Sequence, residues 1–165
     1  MGKNSVIPWT IPNNIAINII YMYLVVILPL VAALLAQLAK MFLHSNRLKL
    51  DWKNLTAYSG MPSGHSSMVI SLATIVGLTE GFFSPLFGVC LVLAVLIIRD
   101  ALGIRRYLGQ HGKMLNDLIK DLGNDDVLDH GYPHLLEKIG HTPSQIIIGS
   151  LIGFLTSLIG FWLFG

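Results

Sequence analysis

The sequence predicts an all-α integral membrane protein, a bundle of about four transmembrane helices with one further amphipathic helix at the membrane surface. Three observations predict it. The 165 residues are 53% hydrophobic and only 12% charged, with a mean hydropathy of +0.66, whereas soluble domains are about 25% charged. The charges are clustered, leaving residues 4–39, 54–79, 81–98 and 139–165 without Asp, Glu, Lys or Arg. Each of these gaps holds an apolar run on the scale of the ~20 residues that cross a bilayer. The same numbers exclude a disordered chain. The lone Cys90 excludes a disulfide scaffold, and a net charge of +2 argues against a nucleic-acid partner.

The first span is expected over Ile15–Leu38, with Pro29 inside it. It is too long, and lacks the small-residue cleavage site, for a signal peptide. The second, His65–Thr79, is short, and a re-entrant helix is its alternative. Glu80-Gly81 and Ser84-Pro85 mark a turn into the third, Phe82–Ile98. The fourth, Pro143–Phe164, begins at Thr142-Pro143-Ser144-Gln145, the pattern of a capping box with proline at the first helical position. Gly149, Gly153 and Ser157 follow at four-residue spacing, as do Ala32 and Ala36 in the first span and Ser67 and Ser71 in the second. Small residues so placed let helices pack closely within the bundle; the same stripe on the fourth helix also suits a homodimer. Cys90 is expected to be an apolar packing residue. The whole chain, 1–165, reads as one membrane domain.

Between the third and fourth spans lies Arg99–Lys138. Leu108, Leu115, Leu118, Ile119 and Leu122 recur there at helical spacing with polar residues between them, predicting an interfacial amphipathic helix. Gly123-Asn124 reads as its stop and 124–133 as a polar loop. Four spans place this segment and Lys40–Lys53 on one face. Eighteen of the 20 formal charges fall there, five in 40–53 and thirteen in 99–138, and they include ten of the eleven basic residues. Lys and Arg excess marks the cytoplasmic side. A multi-pass protein of the plasma (cytoplasmic) membrane is expected, with its polar face in the cytoplasm and both termini outside.

Two histidines stand at helix starts on that face: His65 in Pro62-Ser63-Gly64-His65, and His141 in Gly140-His141-Thr142-Pro143. Helix N-termini present unpaired N–H groups and a positive dipole end, which favour an anion. Lys40, Arg47, Arg99, Arg105 and Arg106 on the same face suit phosphate, the arginines as bidentate forks and the lysine as a point charge. Plainer readings account for the same residues one at a time: a capping box at Thr142–Gln145, a helix-entry turn at Pro62–Gly64, and snorkelling basic anchors. His111, His130 and His134 with Asp125, Asp126 and Asp129 have no metal-ligand spacing. No metal and no cofactor are expected. His44 reads as interfacial, and Trp9, Trp52 and Trp162 as belt residues near span ends.

The ordered set K-x6-R at Lys40–Arg47, P-S-G-H at Pro62–His65, R-D-A-L-G-I-R-R at Arg99–Arg106 and G-H-T-P-S-Q at Gly140–Gln145 resembles the type 2 phosphatidic acid phosphatase superfamily, related to vanadium-dependent haloperoxidases, in its small divergent membrane branch. The likeness covers roughly Lys40–Gly153. It implies metal-independent hydrolysis of a phosphate monoester or pyrophosphate, with His141 as nucleophile through a phosphohistidine and His65 as general acid. Lys40, Arg47, Ser63, Gly64 and an arginine from Arg105–Arg106 would hold the phosphate. The sequence departs from the superfamily pattern at three places. Leu48 replaces a proline after the first motif, Leu135 stands where an arginine precedes the nucleophile, and Gln145 stands where an aspartate follows it. Arg105 or Arg106 is the expected substitute for the arginine, and Asp100 or Gln145 for the aspartate that orients His141. A neutral Gln145 predicts a weaker nucleophile. The substrate implied is a phosphorylated lipid such as phosphatidic acid, phosphatidylglycerol phosphate or polyprenyl pyrophosphate. The alternatives are a catalytically degraded relative that binds phosphorylated lipid and, ranked last, a small transporter or channel subunit, for which the spans lack mid-membrane charges.

Overall fold

The computed structural model describes residues 15–42, 60–122, 134–137 and 139–165. Arg47, with its neighbours His44 and Leu48, lies outside these residues. So do Trp9, Trp52, His130, Asp125, Asp126, Asp129 and the predicted helix stop at Gly123-Asn124.

The described residues form five helices and no strand: α1 (Ile15–Phe42), α2 (Gly64–Glu80), α3 (Pro85–Leu102), α4 (Ile104–Leu122) and α5 (Pro143–Phe164). α5 has the expected limits because its capping box forms: Thr142 Oγ1 accepts from the Gln145 N–H, and Gln145 Oε1 accepts from the Thr142 N–H at 3.0 Å. α3 begins at Pro85 rather than Phe82. Ser84 is its cap, accepting from the Phe87 N–H at 3.1 Å, with proline in the first turn, so the residues read as a turn are the helix start itself. α1 runs beyond Leu38 to Phe42 and carries Lys40 in its last turn. α4 follows α3 after a single residue, Gly103, whose N–H closes on the Arg99 carbonyl at 2.9 Å.

α1, α3 and α5 are long and apolar enough to cross a membrane. At 17 residues, α2 rises about 26 Å, short of the ~30 Å hydrocarbon core. α2 packs against α1, α3 and α5 and holds the core residues Val69, Ala73, Ile75 and Val76. α1, α3 and α5 instead turn most of their large apolar side chains outward, as lipid-facing helices do.

The interior is built from small residues. Ala32 and Ala36 of α1 are fully buried, and the Ser67 hydroxyl donates to the Ala32 carbonyl at 2.9 Å. A methyl group on Gly153 would run into the Ser67 carbonyl, so α2 and α5 approach at backbone distance there. One turn on, the Ser157 hydroxyl donates to the Ser71 carbonyl at 2.8 Å and lies 2.6 Å from the Ser71 hydroxyl. With the Ser157 proton committed, Ser71 donates in that pair. The Gly149–Gly153–Ser157 stripe is therefore buried against α2 of the same chain. Leu24 and Leu28 meet Ile75, and Cys90 of α3 packs on Ala73 and Val76 as expected for an apolar residue. Along α4, Tyr107, Leu108, Leu115 and Leu118 are exposed, the outward apolar face expected of an interfacial helix.

Candidate functional site

The ends of the helices on the charged face converge. The Ser63 N–H, at the entry to α2, donates to the Gln145 carbonyl at 3.0 Å, and the Ser66 hydroxyl donates to the Ile146 carbonyl at 3.2 Å. The two histidine motifs, about 80 residues apart in sequence, are thus stitched backbone to backbone. His141 is joined to the end of α3 as well, its N–H donating to the Ala101 carbonyl at 3.1 Å. Gly140 makes that approach possible. Its φ is +96°, and a Cβ there would sit 2.8 Å from the Arg106 nitrogen, so only glycine fits both the dihedral and the space.

His141 is 3% exposed, and neither ring nitrogen hydrogen-bonds to a described residue. Burial pushes its pKa down from 6.5 to about 4, helped by the positive charges of Lys40, His65 and Arg105. The imidazole is therefore neutral at pH 7, with a lone pair available. His65, exposed in the first turn of α2, lies within electrostatic range of Arg105, Lys40 and Asp100. Lys40 is buried at the end of α1. The structure thus gathers His65, His141, Lys40, Arg105 and Asp100 at one end of the bundle. Gly64 is the first residue of α2 beside them, 3.7 Å from Gln37 when a Cβ is added. Among the described residues no group of three or more His, Cys, Asp or Glu is placed to hold a metal ion.

The geometry engages several of the expected site residues elsewhere. Ser63 is fully buried, and its hydroxyl caps α2 by accepting from the Ser66 N–H at 3.4 Å. Gln145 is committed to its capping box and does not orient the His141 ring. Asp100 is paired with Arg105, Oδ2 to Nε at 2.7 Å, so it orients the arginine rather than the His141 ring. Of the two arginines, Arg105 faces the histidines, whereas Arg106 is exposed and meets Gly140 through its backbone. Sequence reasoning missed the Ala101 contact and Asn116, which binds the chain leading to His141. Gly109 and Gly112, on the same face of α4, were the available signal.

The family model described as "Divergent PAP2 family" matches residues 22–156. The chain is 36% identical over 120 residues to YuiD of Bacillus subtilis (strain 168), an uncharacterised membrane protein, covering 67% of this chain and 76% of that one. No solved structure matches the chain.

Proposed function

Because the chain belongs to the Divergent PAP2 family, we propose that it is a membrane-embedded phosphatase that hydrolyses a lipid phosphate through a phosphohistidine. The observation that carries this reading is His141: a buried, neutral imidazole whose ring nitrogens have no partner among the described residues, within electrostatic range of two cationic side chains and a second histidine. Leaving a buried polar group unpaired costs about 1–3 kcal/mol, and a ring that binds an incoming phosphoryl group gives that cost a purpose.

In the proposed reaction a His141 ring nitrogen attacks phosphorus and the bond to the leaving oxygen breaks. His65 donates its proton to that oxygen. Water then attacks the phosphohistidine, His65 takes up the water proton, and inorganic phosphate leaves with His141 restored. Lys40 and Arg105, with Arg47, Arg106 and the Gly64 N–H as further candidates, balance charge on the equatorial oxygens. A site at the head-group level of an apolar bundle suits phosphatidic acid, phosphatidylglycerol phosphate or a polyprenyl pyrophosphate, met from the cytoplasm on the charge argument.

One observation favours a second reading. Among the described residues no carboxylate reaches the His141 ring to stabilise an imidazolium, since Asp100 holds Arg105. A relative that binds lipid phosphate without turning it over would have the same geometry. Phosphate release from a panel of lipid phosphates, with and without EDTA, decides between them. Turnover by the wild type and its loss by at least a hundredfold in His141→Ala and His65→Ala is expected. Full activity in His141→Ala would sink the phosphohistidine, and saturable binding without turnover would establish the second reading.

A further inference from the structure

The chain that delivers His141 does not cross the site unsupported. Residues 134–137, 139 and 140 run back along α4, antiparallel to it, over one face. The Asn116 carboxamide exchanges a pair of hydrogen bonds with the backbone of Leu135: Nδ2 donates to its carbonyl at 2.9 Å, and Oδ1 accepts from its N–H at 3.0 Å. The same Nδ2 lies 2.9 Å from Glu137 Oε1 and 3.1 Å from His134 Nδ1. One turn earlier on α4, a methyl on Gly112 would sit 2.9 Å from the Leu136 carbonyl. Earlier again, one on Gly109 would sit 2.5 Å from the Glu137 carbonyl and 3.1 Å from that of Ile139. Gly140 then lies against the Arg106 backbone. Positions 106, 109, 112 and 116 are three or four apart and so share a face. Two bare glycines and one asparagine make a track whose pairing with the strap has a single register.

We propose that Asn116 is a positioning residue for His141. With Gly109 and Gly112 it fixes the register of Leu135, Leu136, Glu137, Ile139 and Gly140 on α4, and through that register it holds the His141 ring in the site. The catalytic consequence rests on the phosphohistidine reading; the placement of the ring does not. Asn116 touches neither histidine of the site. Its effect passes along the backbone to the hydrogen bond from His141 to Ala101.

The test uses the purified full chain in lipid nanodiscs and follows the His141 ring by 15N-edited NMR as pH is lowered. Wild-type His141 is expected to stay neutral to about pH 4. Asn116→Leu, which removes every hydrogen bond of the clamp at similar volume, is expected to move the titration at least one pH unit toward the ordinary 6.5. Gly112→Ala, which perturbs the strap from a different position, is expected to do the same. Asp117→Asn, exposed on the same helix, is expected to leave it in place. Where the wild type turns over, Asn116→Leu and Gly112→Ala lower kcat at least tenfold with little change in KM. If Asn116→Leu does not fold, Gly112→Ala carries the test. An unchanged His141 titration in the folded track variants overturns the proposal. A wild type that releases no phosphate, with the titration shifts as expected, overturns the phosphatase reading and leaves the track standing.

Discussion

A methyl group added at Gly149 tests the joint between the two histidine motifs. Its Cβ would meet the Ser63 carbonyl oxygen and the Ser66 hydroxyl. Neither can step aside: the Ser63 carbonyl accepts from the Ser67 N–H at 3.2 Å, and the Ser66 hydroxyl is shared between the Ser63 and Ile146 carbonyls. Relief therefore requires α5 to back away from α2 by roughly an ångström to regain ordinary contact distance. Overpacking costs about 1–3 kcal/mol. The bonds Ser63 N–H to Gln145 and Ser66 to Ile146 add about 1 kcal/mol each when stretched. Alanine returns about 1 kcal/mol through its helix propensity, so Gly149→Ala is expected to destabilise by about 2–4 kcal/mol. For a chain of this size that lowers the melting temperature by roughly 5–15 °C, read by tryptophan fluorescence in detergent. Gly88→Ala on α3 is the control: its Cβ meets nothing within 4 Å, and the same propensity term should leave its melting temperature equal or higher. A Gly149→Ala protein that melts at or above wild type, with Gly88→Ala below it, would refute the account of how α2 and α5 are joined.

Two further outcomes follow from His141 and its approach. Gly140→Ala combines a dihedral that costs about 1–3 kcal/mol for a non-glycine residue with a clash against the Arg106 backbone. It should expose His141 and raise its rate of modification by diethyl pyrocarbonate at pH 7 at least tenfold, and an unchanged rate would contradict the role given to this glycine. The pH dependence has a definite sign. The folded pKa of His141 lies near 4, below the unfolded 6.5, so the unfolded chain takes up the proton first. Its contribution to stability is present above pH 6.5 and is lost as pH falls toward 4, about 2 kcal/mol between pH 6.5 and 5. His141→Gln should lack that loss in thermal melts taken across the range, and parallel profiles for the two proteins would exclude it.

The helices were legible in the charge gaps, because a membrane helix is a run of residues that tolerate no charge. The limits of α5 coincide with the sequence reading because its capping box is a local pattern. The start of α3 was misplaced because the gap in charge opens at Gly81, three residues before the Ser84 cap that actually begins the helix. The short second span was ambiguous by length alone; its burial by three neighbours is a tertiary fact. At the site, His65 and His141 could be placed together because both precede helices on one face. The partners of Asp100, Gln145 and Asn116 could not. Asp100 and Gln145 were weighed against His141, and each instead spends its side chain on another near neighbour, Arg105 and Thr142. Asn116 binds a segment 18 to 21 positions away, and no spacing rule reaches that far.

The hydroxyl-rich face of α2 ties it to a helix that is translated later. Ser66 and Ser71 find partners on α5, some 80 residues downstream, and until that segment is in place Ser66 keeps only the Ser63 carbonyl and Ser71 lacks Ser157 in a lipid surround. A nascent chain halted before Pro143 would present α2 to the insertion machinery as a segment both too short and too polar to stay in the bilayer unaided. The final packing of α2 is therefore reached only once α5 lies beside it in the bilayer.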